Sequence, residues 1–204
     1  MSILIFLRDN APWLAAGILL TFLSSFGQTY FISVFAGEIR EVFALSHGQW
    51  GGIYTAGTTT SALVMVWAGG LTDRFRVRVL APVVLLLMGA ACLSMALNPV
   101  WWLLPVLIFA LRFTGQGMMP HLAVVAMARW FIASRGRALS IASLGNAVGE
   151  SLMPLIFVSL LIVYDWRMLW VLAAVIAILG IPALLLLLRH ERTPQSWAQG
   201  TQSV

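Results

Sequence analysis

The stretch "WAGGLTDRFRVRVLAPVVLLL" (67–87) joins two apolar runs through one short charged turn. Two glycines end the first run and Asp73 follows them. The turn then carries three arginines: Arg74, Arg76 and Arg78. Arginine collects at the ends of membrane helices because its charge is costly in lipid and well hydrated in water. The stretch therefore predicts a hairpin of two membrane-spanning helices whose connecting turn lies in water.

The composition of the 204 residues supports the same prediction. Hydrophobic residues make up 61% of the chain, charged residues 9%, and the mean hydropathy is +0.95. About 20 apolar residues cross a hydrocarbon core about 30 Å thick. Six such runs occur, at about 13–35, 50–72, 77–97, 101–126, 138–163 and 167–188. We expect an all-α integral membrane protein with six transmembrane helices within 1–188, followed by a polar cytoplasmic tail at 189–204.

The arginines predict the orientation of the chain. All twelve basic residues are arginine. If the amino terminus is inside, nine lie on the cytoplasmic side, two lie outside, and Arg112 falls within a span. This positive-inside bias predicts that both termini are cytoplasmic, in a multi-pass protein of the inner (plasma) membrane. The amino end carries its charges after its first apolar run, so we expect no cleavable signal peptide.

Several other classes of protein are disfavoured by the sequence. Cys92 is the single cysteine, which excludes disulfides and cysteine-based metal sites. His121 is the one histidine within the predicted spans, and no metalloprotease, phosphate-loop or serine-hydrolase motif occurs. We therefore expect neither an enzyme, nor a metal ion, nor a cofactor. The arginines are spread over the helix ends, which does not suit a nucleic-acid-binding face.

The loop between the second and third runs resembles a signature of the major facilitator superfamily, G-x-L-x-D-R-x-G-R/K-R/K-x-x-L. The matching residues are Gly69, Leu71, Asp73, Arg74, Arg78 and Leu80. Arg76 stands where the family has glycine, and Val77 replaces the first residue of the basic pair. The resemblance implies a gating loop, formed by Gly69, Asp73, Arg74 and Arg78. In the family this loop pairs with the other half of the transporter and stabilises the outward-facing state.

Two further stretches carry the resemblance along the chain. The segment "LRFTGQGMMP" (111–120) is similar to the fourth-helix pattern of the superfamily. The segment "ARWFIASRGRALSIASLGNAVGESLMP" (128–154) resembles the branches that include monocarboxylate and other organic-anion carriers. The resemblance implies secondary active transport of a small solute by alternating access. An organic anion is the candidate solute.

Facilitators of this superfamily consist of two six-helix halves, each built from 3+3 inverted repeats. The six predicted runs correspond to the amino-terminal half. Three explanations stay open at this point. The chain is a fragment of a longer carrier that lacks its carboxy-terminal half; or a second copy completes it as a homodimer; or it is a non-transporting membrane assembly or sensor protein derived from a facilitator half.

Two charged residues are expected near the middle of the membrane, where charge is costly and usually functional. Arg112 lies about 15 Å from the outer end of its run at 1.5 Å per residue, and Glu150 lies at a similar depth. The two are therefore able to meet as a structural ion pair, or to serve a substrate and a coupling proton. Arg112 suits an anionic group such as a carboxylate.

Polar residues at helical spacing extend this candidate site. Gln116 shares a helical face with Arg112, Asn146 lies beside the face of Glu150, and Ser24 and Gln28 lie close together on the first run. The predicted substrate or proton pathway is therefore Ser24, Gln28, Arg112, Gln116, Asn146 and Glu150. Hydrogen bonding between packed helices is the alternative explanation for the serine. For His121, we favour a role in helix packing.

Overall fold

The computed structural model describes residues 3–189, and every regular element in that range is helical. The first half holds six α-helices: α1 (Ile3–Leu23), α2 (Thr29–Val34), α3 (Ala36–Val42), α4 (His47–Ala68), α5 (Leu71–Arg74) and α6 (Val77–Leu97). The second half holds four more: α7 (Leu104–Leu111), α8 (Met119–Trp130), α9 (Arg135–Leu161) and α10 (Trp166–Leu187). The predicted tail lies almost wholly outside the described residues.

Five helical segments between residues 3 and 189 are long and apolar enough to cross a membrane, judged by length and composition. They are Ile3–Val34, Val77–Leu97, Trp101–Trp130, Arg135–Leu161 and Trp166–Leu187. Helix α4 has 22 residues, which is a sufficient length, but it is not among these five. Four glycines, four threonines and a serine lower its hydropathy. The structure therefore supports five spans by this criterion, and the predicted sixth span rests on α4.

The first predicted run is not one continuous helix. Helix α1 ends at Leu23, a 3₁₀ turn follows over Ser24–Gly27, and Gln28 is extended with ψ 155° before α2 begins. Serine side chains compete with helical hydrogen bonds, and glycine is the least favourable residue in a helix after proline. Tertiary packing also acts here, because Gly27 lies directly against the backbone of Leu111. The apolar pattern of the run contains no signal for this interruption.

The fourth predicted run also departs from a regular α-helix. Between α7 and α8, the segment Arg112–Met118 is a π-helix. In such a segment each hydrogen bond spans five residues instead of four, which shifts the faces of the residues that follow. Short π-helical segments are frequent at functional sites.

The second predicted run ends earlier than expected. Helix α4 stops at Ala68, and a turn leads into the short α5.

The helices pack in three main pairs: α1 against α9, α4 against α7, and α6 against α10. Small residues allow the close approaches. Gly145 of α9 lies against the backbone of α1, where the Thr21 hydroxyl donates to the carbonyl of Ala142 at 2.5 Å. At one end of the bundle, a cluster of aromatic rings fills the space between α2, α9 and α10: Phe26, Phe31, Phe35, Phe157 and Trp170. Within this bundle, the 3₁₀ turn before Gln28 packs against the π-helical segment that begins at Arg112.

Candidate substrate site and gating loop

Arg112 is buried at the start of the π-helical segment, with 4% of its surface exposed. Its Nη1 donates to the carbonyl of Gly27 at 3.3 Å and to Oγ1 of Thr29 at 3.0 Å. These two acceptors lie on either side of the interruption at Gln28. Its Nε is buried and has no hydrogen-bond partner. The guanidinium therefore bridges the interruption of the first helix and keeps unused hydrogen-bonding capacity.

Thr29 and Tyr54 complete the surroundings of Arg112. The Tyr54 hydroxyl donates to Thr29 Oγ1 at 3.1 Å, and the Arg112 Cζ lies 5.7 Å from the centroid of the Tyr54 ring. A cation at this distance is attracted by the face of an aromatic ring. Neither residue belongs to the predicted site. The hydroxyl-rich start of α4 was the only sequence signal available for this contact.

A close contact between Gly27 and Gly115 brings Arg112 near Thr29. A side chain at Gly27 would collide with the carbonyl oxygen of Leu111 and lie 2.7 Å from the Cα of Gly115. A side chain at Gly115 would in turn lie 2.5 Å from both the Cα of Gly27 and the Cε of Met88. Only glycine at both positions permits this backbone approach. The contact sets the distance over which Arg112 reaches the first helix.

Glu150 does not pair with Arg112. Within residues 3–189, the ion pairs are Arg8 with Asp9 and Arg129 with Asp73. Glu150 is exposed on α9, close enough to Tyr30 to interact electrostatically. The Tyr30 hydroxyl donates to Ser25 Oγ at 2.9 Å. Arg112 donates to Gly27 and Thr29, whereas Glu150 lies near Tyr30, an arrangement that helical depth alone could not reveal.

The remaining residues of the predicted pathway lie in mixed surroundings. Ser24 is fully buried and donates to the carbonyl of Thr21 at 2.6 Å, so its hydroxyl is used within its own helix. Gln28 and Asn146 are partly exposed. Gln116 is exposed although Arg112 is buried. The structure therefore does not place Gln116 in the same environment as Arg112.

The predicted gating loop is bonded to α8. Arg129 donates through Nη2 to Asp73 Oδ1 at 2.6 Å and through Nη1 to the carbonyl of Thr72 at 2.6 Å. The Nε2 of His121 lies 3.2 Å from the carbonyl oxygen of Gly69 and 3.3 Å from Thr72 Oγ1. His121 thus joins α8 to the residues of this loop. Both side chains extend from α8, the helix that continues from the π-helical segment.

The two other predicted loop residues do not join this network. Arg74 is exposed, and the described residues provide no hydrogen-bond partner for it. Arg78 is also exposed, and its Nη1 donates to the carbonyl of Arg189 at 3.3 Å. Within the described part of the chain, Asp73 is thus held by Arg129, a residue that the loop signature does not include.

The long apolar helices, the absence of strands from residues 3–189 and the buried cation define a multi-pass helical membrane protein. The family model of the Major Facilitator Superfamily matches residues 17–203, and the chain belongs to this superfamily. Members of the superfamily are transporters. No curated protein and no solved structure matches the chain.

Proposed function

We propose that the protein transports a small organic anion by alternating access, in the manner of a secondary active carrier. The observation that carries the proposal is the burial of Arg112 without an acidic partner between residues 3 and 189. A cation buried in a membrane protein needs compensation, and its hydrogen bonds to Gly27 and Thr29 supply dipoles but no negative charge. An anionic substrate, for which a carboxylate is our leading candidate, supplies that charge during transport.

Glu150 is the proposed carrier of a coupling proton. It lies on an apolar helix that is long enough to span a membrane, and it makes no ion pair with a described residue. An acidic side chain within a membrane span is costly and is usually functional. Ser24, Gln28, Gln116 and Asn146 belong to the proposed pathway as its uncharged polar residues.

We further propose that a second set of helices covers the polar face of this bundle. Gln116, Glu150 and the start of α2 at Thr29 are exposed, and lipid provides no hydrogen-bond partners for them. Another six-helix half, either in the same protein or in a second copy of this chain, would enclose these groups around an aqueous cavity. Helix α4 then serves as the sixth span, with both termini cytoplasmic in the inner membrane.

The proposed function is tested by uptake into liposomes that contain the purified full chain. We expect saturable uptake of at least one acid among radiolabelled L-lactate, pyruvate and benzoate, stimulated by an inward proton gradient. The matched amides, L-lactamide and benzamide, should compete at least about tenfold less well, because a hydrogen bond to a charged group contributes about 1.5–3 kcal/mol. A chain that moves none of these acids would count against organic-anion transport and support the assembly or sensor role.

The Asp73–Arg129 bond leads to a prediction about the gating loop. We propose that the loop stabilises one of the two access states, so that Asp73→Asn shifts their balance and slows the transport cycle. The side chains are 75% and 42% exposed, and exposed ion pairs contribute at most about 1 kcal/mol. Maximal uptake should therefore fall by up to about fivefold, while the KM changes by less than about twofold. Initial rates measured over a range of substrate concentrations separate the two parameters.

The control for this experiment is Asp9→Asn. It removes the other ion pair between described residues, the exposed contact of Asp9 with Arg8, and leaves the loop intact. This variant should transport at the wild-type rate. A higher KM with unchanged maximal uptake in Asp73→Asn would contradict the gating role, because the residue would then affect substrate binding.

A further inference from the structure

We infer that Thr29, together with Tyr54, determines the specificity of the Arg112 site by presenting a hydroxyl donor to the acceptor group of the ligand. The inference rests on the proposed function, in which Arg112 compensates the charge of an anionic substrate. It begins from accessibility. Arg112 is 4% exposed, whereas Thr29 is exposed and Tyr54 is partly exposed. A ligand that approaches this site therefore meets the two hydroxyl groups before it meets the guanidinium.

The hydrogen bonds of the cluster leave one hydroxyl hydrogen unused. Arginine has donors and no acceptor, so the bond from Arg112 Nη1 occupies a lone pair of Thr29 Oγ1. Thr29 and Tyr54 together own two hydroxyl hydrogens, and the 3.1 Å bond between them uses one. One hydrogen remains whichever of the two donates to the other. No acceptor for it occurs in the part of the chain that the structure describes.

The charge around this hydrogen favours a negatively charged acceptor. The guanidinium donates directly to Thr29, and a hydrogen bond from a charged donor polarises the hydroxyl group that accepts it. The same guanidinium lies 5.7 Å from the centroid of the Tyr54 ring, and its Nε has no partner. An anionic oxygen is therefore favoured at the hydroxyl pair. An ammonium or an amide NH₂ group at this point would face donors and positive charge.

The geometry also bears on how Arg112 acts. Its Nη1 is already shared between Gly27 and Thr29, and the side chain is enclosed by packed helices. In this conformation a carboxylate has little direct access to the guanidinium. Thr29 accepts from Arg112 on one side and is open to the ligand on the other. Arg112 thus acts on the ligand largely through the hydroxyl group that it polarises.

The test compares Thr29→Val with Thr29→Ser, using L-lactate and L-lactamide, and benzoate and benzamide, as matched probes. Valine keeps the branched shape of threonine and removes the hydroxyl, whereas serine keeps the hydroxyl. In Thr29→Val we expect the KM for the acids to rise about tenfold, with maximal uptake changed less than about twofold. The preference for acid over amide should fall by a similar factor. Thr29→Ser should stay within about threefold of the wild type in all of these values.

Tyr54→Phe identifies which hydroxyl group meets the ligand. If Thr29 is the donor, this variant leaves the Thr29 hydrogen in place, and the KM should rise less than in Thr29→Val. The acid-to-amide preference of the wild type distinguishes a failure of the proposed function from a failure of this inference. If it shows no preference for acids over amides, the proposed function fails and this inference fails with it. If it prefers acids and Thr29→Val keeps that preference, the inference alone is overturned.

A purely structural role for Thr29 would give a different result. The loss of a packing contact would lower the thermal stability and the maximal uptake of Thr29→Val, without changing the ratio between acid and amide. Melting temperatures in detergent, measured for the same preparations, check this outcome. A lower melting temperature with an unchanged acid-to-amide ratio would also overturn the inference.

Discussion

Replacing Arg112 with alanine should abolish transport, with uptake at least about 100-fold below the wild type. We propose that the buried positive charge of Arg112 compensates the negative charge of the substrate. The variant removes this charge, and it also removes the donor that polarises Thr29. Removing one partner of a buried charged interaction costs about 3–5 kcal/mol, which corresponds to a factor of at least about 100. Uptake into liposomes, at equal amounts of reconstituted protein, measures the effect.

Arg112→Lys should give an intermediate result. Lysine keeps the charge, but its ammonium group lacks the planar fork of the guanidinium that reaches Gly27 and Thr29 together. We expect the KM to rise about tenfold, with measurable maximal uptake. Because the lysine variant retains a buried cation, it also distinguishes a loss of substrate binding from a general failure to fold.

Arg40→Ala is the matched control for the loss of an arginine. Arg40 lies on α3 and donates to the carbonyl of Ala36 within its own helix. Its removal should leave uptake unchanged. Elution volume in size-exclusion chromatography and helical content by circular dichroism should agree among the three variants and the wild type. Wild-type uptake by a folded Arg112→Ala protein would remove Arg112 from the site.

The second large effect is expected from Gly27→Ala, which should lower the stability of the bundle. The added methyl group would collide with the Leu111 carbonyl oxygen and lie 2.7 Å from the Cα of Gly115. Both are backbone atoms, so relief requires a helix to move. Overpacking costs about 1–3 kcal/mol, and we expect a value near the upper end, about 3 kcal/mol. Thermal unfolding in detergent measures this cost as a lower melting temperature.

Gly37→Ala is the control for the same substitution. Gly37 lies in α3, and a methyl group added there meets no atom within 4 Å. Alanine is a better helix former than glycine by about 1 kcal/mol, so this variant should be as stable as the wild type or more stable. If Gly27→Ala were as stable as Gly37→Ala, the close contact between Gly27 and Gly115 would not hold in the protein.

The sequence alone predicted the class of the protein and much of its helical layout. The composition and the apolar runs predicted a helical membrane protein, because lipid admits few charged residues. The loop around Asp73 and the glycines after Arg112 indicated the superfamily that the family model then confirmed. The depth of Arg112 in its run marked it as a candidate site residue, and it is buried. The number of spans, the orientation and the solute stay predictions.

The partners of the charged residues could not be predicted from the sequence. A regular helix of 3.6 residues per turn places Gln116 beside Arg112, whereas in the structure Arg112 is buried and Gln116 is exposed. Similar depth allowed Arg112 to meet Glu150, whereas the structure directs Arg112 to Gly27 and Thr29. Asp73 binds Arg129, more than fifty residues away in the chain. Each of these contacts depends on the rotation and spacing of packed helices.

Lipid surrounds every residue of a span and requires apolar side chains along its whole length. The spans can therefore be recognised from the sequence without a structure. The interruption at Gln28, and the contacts of Arg112 with Gly27, Thr29 and Tyr54, were decided only in the tertiary structure. They depend on the missing side chains of Gly27 and Gly115, which let two helices touch. A glycine in a sequence shows that a close approach is possible, but only the packed bundle determines which backbone makes it.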